Sequence, residues 1–202
     1  MIAVVDYGMG NVASVQNALR LLGAQSVLTA RAEDFERATH LILPGVGAFG
    51  DGMRELQERG LIPLLEKEVL EKKKPFLGIC LGMQLLAEAG EEGGDAKGLG
   101  FIAGRTRKLR AGSLRLPHIG WDDVTPAPGA SLFAGIAAHD FYFVHSYVVE
   151  PADPAAVAAA CTYGEAFAAA VQKDNISGVQ FHPEKSQKAG IAVLRNFITL
   201  HA

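Results

Sequence analysis

Three short runs in the first eighty residues are apolar at almost every position: "IAVV" at 2–5, "HLIL" at 40–43 and "PFLGIC" at 75–80. A strand with one wet face alternates apolar and polar side chains, so such runs belong to a sheet covered on both faces. Segments of helical character separate them. Val12, Val15, Leu19 and Leu22 share one helical face behind Asn11, a candidate N-cap, and Gly23 suits the C′ position that ends the helix. A strand is expected at 26–29, a helix around 53–59 and another over 61–73. That last helix ends in Lys72-Lys73-Lys74, where cations complement the helix dipole. Strands and helices in alternation predict an α/β fold with a largely parallel central sheet flanked by helices.

After residue 90 the rhythm changes. A glycine-rich loop, "GEEGGDAKGLG", is followed by strand-like runs at 101–109, 141–149, 157–162, 166–172 and 178–181, with "DNISG" at 174–178 as a turn. The second half therefore adds antiparallel strands to the sheet. The chain is expected to close on a helix with Ala189, Val193, Phe197 and Leu200 inward. Net charge is −3 and charged residues are 20% of the chain, which gives no global electrostatic case for nucleic acid or a membrane surface. The opening residues, Met1 to Asp6, are not expected to act as a signal peptide, and no apolar run approaches the roughly 18 residues a membrane span needs. Two distant cysteines make neither a disulfide framework nor a zinc site, so a reduced, cytoplasmic protein without metal or cofactor is expected.

One of those cysteines sits at a corner. Gly78-Ile79-Cys80-Leu81-Gly82 is G-x-C-x-G with a strand before it and a helix after it, the cysteine counterpart of the nucleophile elbow. Such a turn lifts the sulfur above the carboxyl edge of the sheet and over a helix N-terminus, where free N–H groups and the dipole favour thiolate. The N–H of Leu81 is then placed to meet an oxyanion. Cys161, inside "AACT" with no such turn, reads as structural. Of six histidines, His118 and His145 are not excluded by position, whereas His40, His139 and His201 lie at element edges. His182 ends the run Val179-Gln180-Phe181 and precedes Pro183-Glu184. Pro183 disfavours helix at His182, and in extended backbone residues i and i+2 share a side, so Glu184 can orient the imidazole. "LPGVGAF" at 43–49 is a second glycine turn at the same edge, whose Gly45, Val46 and Gly47 N–H groups can supply the other oxyanion donor.

With these pieces assembled the chain resembles the class I, triad-type glutamine amidotransferases, and within them the glutaminase subunits of imidazole glycerol phosphate synthase. "DYGMGN" at 6–11, "LPGVGAF", "GICLGMQLL" at 78–86, "PHIGW" at 117–121, "VHSY" at 144–147 and "HPEKSQ" at 182–187 carry the resemblance. It implies one glutamine amidotransferase domain over 1–202 with a flavodoxin-like fold. It implies a triad of Cys80, His182 and Glu184, and an oxyanion hole at Val46 and Leu81. Gly47, Gln84, Ser146 and Tyr147 would hold L-glutamine, and ammonia would pass to a (βα)₈-barrel cyclase docked near Asn11, Trp121, Tyr142 and Lys185. One departure is Asp122, where this family usually has asparagine.

Three other readings compete. "GMGNVA" after the first strand partly matches a dinucleotide fingerprint, with Glu33 or Asp34 as the ribose acid. The same nucleophile would also serve a cysteine peptidase. The basic stretch 105–110, with Arg115 nearby, would suit a docking protein, although such runs are more often a solvated strand face.

Overall fold

The computed structural model describes residues 1–199. The inward position expected for Leu200, and His201, lie outside the described residues. In the first half, strands β1 (Ile2–Val5), β2 (Ser26–Thr29), β3 (His40–Gly45) and β4 (Phe76–Cys80) alternate with helices. These are α1 (Val12–Leu21), α2 (Ala32–Arg37), α3 (Phe49–Glu58), α4 (Leu61–Leu65) and, after β4, the short α5 (Leu81–Gln84). The second half holds β5 (Ala89–Gly90), β6 (Ala96–Lys97), β7 (Gly104–Lys108), β8 (His118–Asp123), β9 (Thr125–Pro126), β10 (Asp140–His145) and β11 (Tyr147–Pro151). It then runs through β12 (Val157–Tyr163), β13 (Glu165–Lys173) and β14 (Ile176–Val179) to α6 (Gln187–Thr199).

The central sheet has the order β2-β1-β3-β4-β14-β13-β12-β9. The strands from β2 to β14 are mutually parallel, and β13, β12 and β9 add on in antiparallel fashion. This is the α/β sheet with antiparallel additions that the sequence predicts. The uninterrupted apolar strands have the expected cause: alternate residues of β1 serve different cores. Ile2 and Val4 pack with Val15 and Leu19 of α1 and Val193 and Phe197 of α6, whereas Ala3 and Val5 pack with Phe35, Leu56 and Leu65 on the other face. No helix among the described residues is long and apolar enough to cross a membrane.

The differences from the expected elements are local. The run 141–149 is two strands, since β10 pairs with β8 and β11 pairs with β7, and the chain changes sheet at Ser146. The helix over 61–73 turns into a π-helix at Glu66–Glu71. Its lysine tail does more than complement a dipole: Lys72 and Lys74 lie 2.8 and 2.6 Å from the buried Glu68 carboxylate, and Lys74 also donates to the Phe35 and Glu36 carbonyls. Asn11 stands at the N-cap of α1 without a side-chain capping bond, and Gly23 ends that helix at φ +73°.

Candidate active site

Because β1, β3, β4 and β14 run parallel, the residues that follow them meet at one sheet edge. Cys80 is the N-cap of α5, at φ +54° and ψ −110°. No L-residue adopts that conformation without strain, commonly about 1–3 kcal/mol, and it persists because β3 and β14 hold β4 from both sides. The flanking glycines are required by space. A Cβ on Gly82 would collide with the Leu43 carbonyl, and one on Gly78 would lie 2.5–2.7 Å from the backbone of Gly82 and Met83. The elbow is folded against β3 too tightly for any side chain.

His182 arrives from β14, the strand beside β4, with Gly178 opposite Gly78 and Val179 opposite Ile79. It is extended at φ −97° and ψ 96°, and Pro183 opens a single 3₁₀ turn over Pro183–Lys185 that carries Glu184 back to the ring. Its Nδ1 is 2.8 Å from Glu184 Oε1, and both side chains are almost fully buried. The His182 N–H donates to the Tyr142 carbonyl at 2.9 Å and its carbonyl accepts from Ser186 Oγ at 2.7 Å, so the residue is clamped on both sides. Burial by itself lowers the imidazole pKa. Hydrogen bonds and charge from Cys80 and Glu184 overcome it and raise the value to about 9. With Nδ1 engaged by Glu184, Nε2 is the nitrogen available to the sulfur.

A cleft of about 180 Å³ opens over the sulfur. Of the residues predicted from sequence, Val46, Gly47, Leu81, Gln84, Ser146, Tyr147 and Lys185 line it together with Cys80 and His182. Glu184 stands behind His182. Gly47 has φ +114° and Val46 is 44% exposed, so this turn lies open at the mouth of the cleft. Gln84 forms part of the wall, and its amide N–H groups donate inward, to the Tyr147 carbonyl at 3.0 Å and to Gln180 Oε1 at 3.1 Å.

Three participants escape the sequence reading. Gln180, fully buried, directs its amide nitrogen at Cys80 Sγ from 3.7 Å. Its neighbour position in "VQFHPE" was the available signal. Glu92 lines the cleft and accepts from the Phe49 N–H at 2.9 Å; it lies in a loop without pattern. Tyr7 is wholly buried beneath Gly45, its hydroxyl without a hydrogen-bond partner among the described residues, and burial followed by the nearby Cys80 raises its pKa.

Trp121 packs edge-on against Tyr142 at 5.9 Å, and Lys185 Nζ lies 5.8 Å from the centre of the Tyr142 ring. Trp121 and Ile119 project from the same side of β8, 42% and 59% exposed. These form one surface patch; Asn11 lies on the turn after β1, at the start of α1.

The competing features have structural roles. Asp34 accepts from Thr29 Oγ1 and Arg31 Nε, so its carboxylate is occupied. Arg105 pairs with Glu91, and Arg107 pairs with Glu150 and Glu165, which neutralises much of the basic stretch. Burial pushes the Cys161 thiol up to about 12.

A family model described as glutamine amidotransferase class-I matches residues 3–200. An imidazole glycerol phosphate synthase subunit HisH 2 of Pseudomonas aeruginosa is 46% identical over 202 residues, covering 99% of this chain and 100% of that protein. The subunit HisH of Moorella thermoacetica is 49% identical over 198 residues, 97% of this chain and 93% of that one. A solved glutamine amidotransferase structure superposes with a TM-score of 0.79 over 100% of this chain and 99% of its own; at 20% identity that likeness shows the fold alone. The chain belongs to the class-I glutamine amidotransferases, in the family of the HisH subunits of imidazole glycerol phosphate synthase.

Proposed function

We propose that Cys80, His182 and Glu184 are the triad with which this chain hydrolyses L-glutamine to glutamate and ammonia. The observation that carries the reading is the strained Cys80 turn with the Glu184-oriented His182 on the adjacent strand. The sulfur attacks the side-chain amide carbon, and the oxyanion is met by the N–H groups of Leu81 and Val46. The His182 imidazolium gives its proton to the departing nitrogen, leaving a γ-glutamyl thioester. Neutral His182 then takes a proton from water, whose oxygen attacks the thioester and frees glutamate and the sulfur. Gly47, Gln84, Ser146 and Tyr147 surround the substrate in this reading.

The chain acts as the glutaminase subunit of an imidazole glycerol phosphate synthase in histidine biosynthesis. Its ammonia goes to a cyclase subunit, a (βα)₈ barrel, that makes imidazole glycerol phosphate and an aminoimidazole carboxamide ribotide. The patch of Trp121, Tyr142 and Lys185, together with Asn11, is the docking side. Residues 1–202 form one amidotransferase domain that works in the cytoplasm. The test is glutamate release by the purified chain with and without the cyclase and its ribonucleotide. Stimulation by the complete partner is expected; peptide cleavage without glutamine cleavage would return the reading to a peptidase.

A pH dependence follows from His182. The proton needed by the leaving nitrogen is held below a pKa of about 9 and lost above it, so kcat/KM for glutamine should fall as pH rises through about 9. Glu184→Gln removes one of the interactions that raise this pKa, and the alkaline limb should move to lower pH. A limb that stays in place in the variant would detach Glu184 from His182.

A further inference from the structure

Asp122 ends a chain of polar contacts that reaches the cleft. Its Oδ2 is 3.0 Å from His118 Nε2, His118 Nδ1 is 2.9 Å from His145 Nε2, and His145 Nδ1 is 3.0 Å from the Tyr147 carbonyl. Neither ring is free to turn away. His118 is stacked against Tyr163 at 4.0 Å and Phe143 at 4.9 Å, and both histidines are buried. The far end of the chain, His145 and Tyr147, lines the cleft with Cys80; the near end, the Asp122 side chain, is 39% exposed beside Trp121.

We propose that Asp122 weakens glutamine binding from outside the cleft, leaving the Tyr147 carbonyl of the cleft wall less firmly held through the tautomers of His118 and His145. The proposal rests on the glutaminase reading above. Its physical basis is a proton count. Each of the three contacts needs one proton between its two atoms, and both end atoms, a carboxylate oxygen and a carbonyl oxygen, only accept. Two neutral imidazoles bring two protons, so one contact goes without. A hydrogen bond to a charged carboxylate is roughly twice as strong as a neutral one, so ionised Asp122 draws the proton of His118 to Nε2. His118 Nδ1 then accepts from His145 Nε2–H, and His145 Nδ1 turns a lone pair toward the Tyr147 carbonyl. That link yields at the least cost, because the carbonyl keeps the N–H of Gln84 at 3.0 Å. An asparagine amide would donate to His118 Nε2 instead. Both rings would reverse, and His145 Nδ1–H would clamp the carbonyl.

The remaining route to a third proton is uptake by a ring. Burial works against it. Desolvation outweighs Asp122 and lowers the His118 pKa, and burial, with the charges of His118 and His182 adding to it, lowers His145 to about 3. The other titratable groups around the relay are Asp123 on β8, Cys161 and Tyr163 on β12, and His182 after β14. Two protons are therefore the state at neutral and alkaline pH.

The experiment uses the complete enzyme with its cyclase and compares the unsubstituted chain with Asp122→Asn and Asp122→Ala at mildly alkaline pH. Ring-nitrogen NMR is expected to find the His145 proton on Nε2 in the unsubstituted chain and on Nδ1 in both variants. The KM for glutamine should fall about fivefold in both, the worth of one neutral hydrogen bond, and the gap should narrow toward acid pH. An unchanged His145 tautomer overturns the proposal. So does a raised KM in Asp122→Ala, which a carboxylate serving only packing predicts. If the unsubstituted enzyme released no glutamate, the functional reading would fall, while the tautomer measurement would still decide the role of Asp122.

Discussion

Replacing Cys80 with alanine is expected to lower glutamine-dependent synthesis by about 10⁴-fold or more, while the cyclase continues to work from added ammonia. The size follows from the chemistry: without the sulfur there is no thioester, and the oxyanion donors and binding contacts are left to act on water alone. Serine at this position is expected to do little better. Its hydroxyl is a far weaker nucleophile than a thiolate, and the His182–Glu184 pair that faces it was arranged for sulfur. The two assays check each other. Loss of both would mean a disturbed complex, and glutamine-dependent turnover near the normal rate in Cys80→Ala would remove the sulfur from the mechanism.

Second in size is His182→Ala, expected to approach the Cys80 loss, with Glu184→Ala falling short of it by about 10–100-fold. In the proposed mechanism His182 moves protons in both halves of the reaction. Glu184 touches only Nδ1, at 2.8 Å, where it fixes the ring and supports its charge. With that carboxylate gone the Ser186 and Tyr142 bonds still hold the His182 backbone beside β4, so part of the function survives. Because sulfur and imidazole act as one unit, Cys80→Ala combined with His182→Ala should be little worse than either change alone. Equal loss in Glu184→Ala and His182→Ala would argue that orientation and proton transfer are not separable here.

The parts legible in the sequence are those where one local requirement fixes residue types. The glycines at 78 and 82 report a backbone approach that excludes Cβ atoms, and Cys80 between them reports the elbow. Pro183 keeps His182 extended, although Glu184 reaches the ring through a 3₁₀ turn rather than by simple strand alternation. The alternating halves of the chain disclosed the parallel sheet and its antiparallel extension. What stayed hidden depends on partners distant in the chain. Nothing local marks the change of sheet at Ser146, because β10 and β11 together look like one continuous strand. Gln180 matters through Gln84 and Cys80, about a hundred positions earlier, and His118 matters through His145 and Asp122. The π-helical stretch at Glu66–Glu71 has helix-forming residues throughout, so its composition gave no warning.

The place of β14, wedged between β4 and β13, has a consequence during synthesis. On the ribosome the proposed nucleophile, Cys80, emerges early, and the proposed base, His182, is translated roughly 5–20 s later at typical elongation rates. Until then the slot beside β4 is vacant. A polypeptide that ends before β14 is therefore expected to carry the Cys80 thiol without the proposed base and to leave glutamine intact.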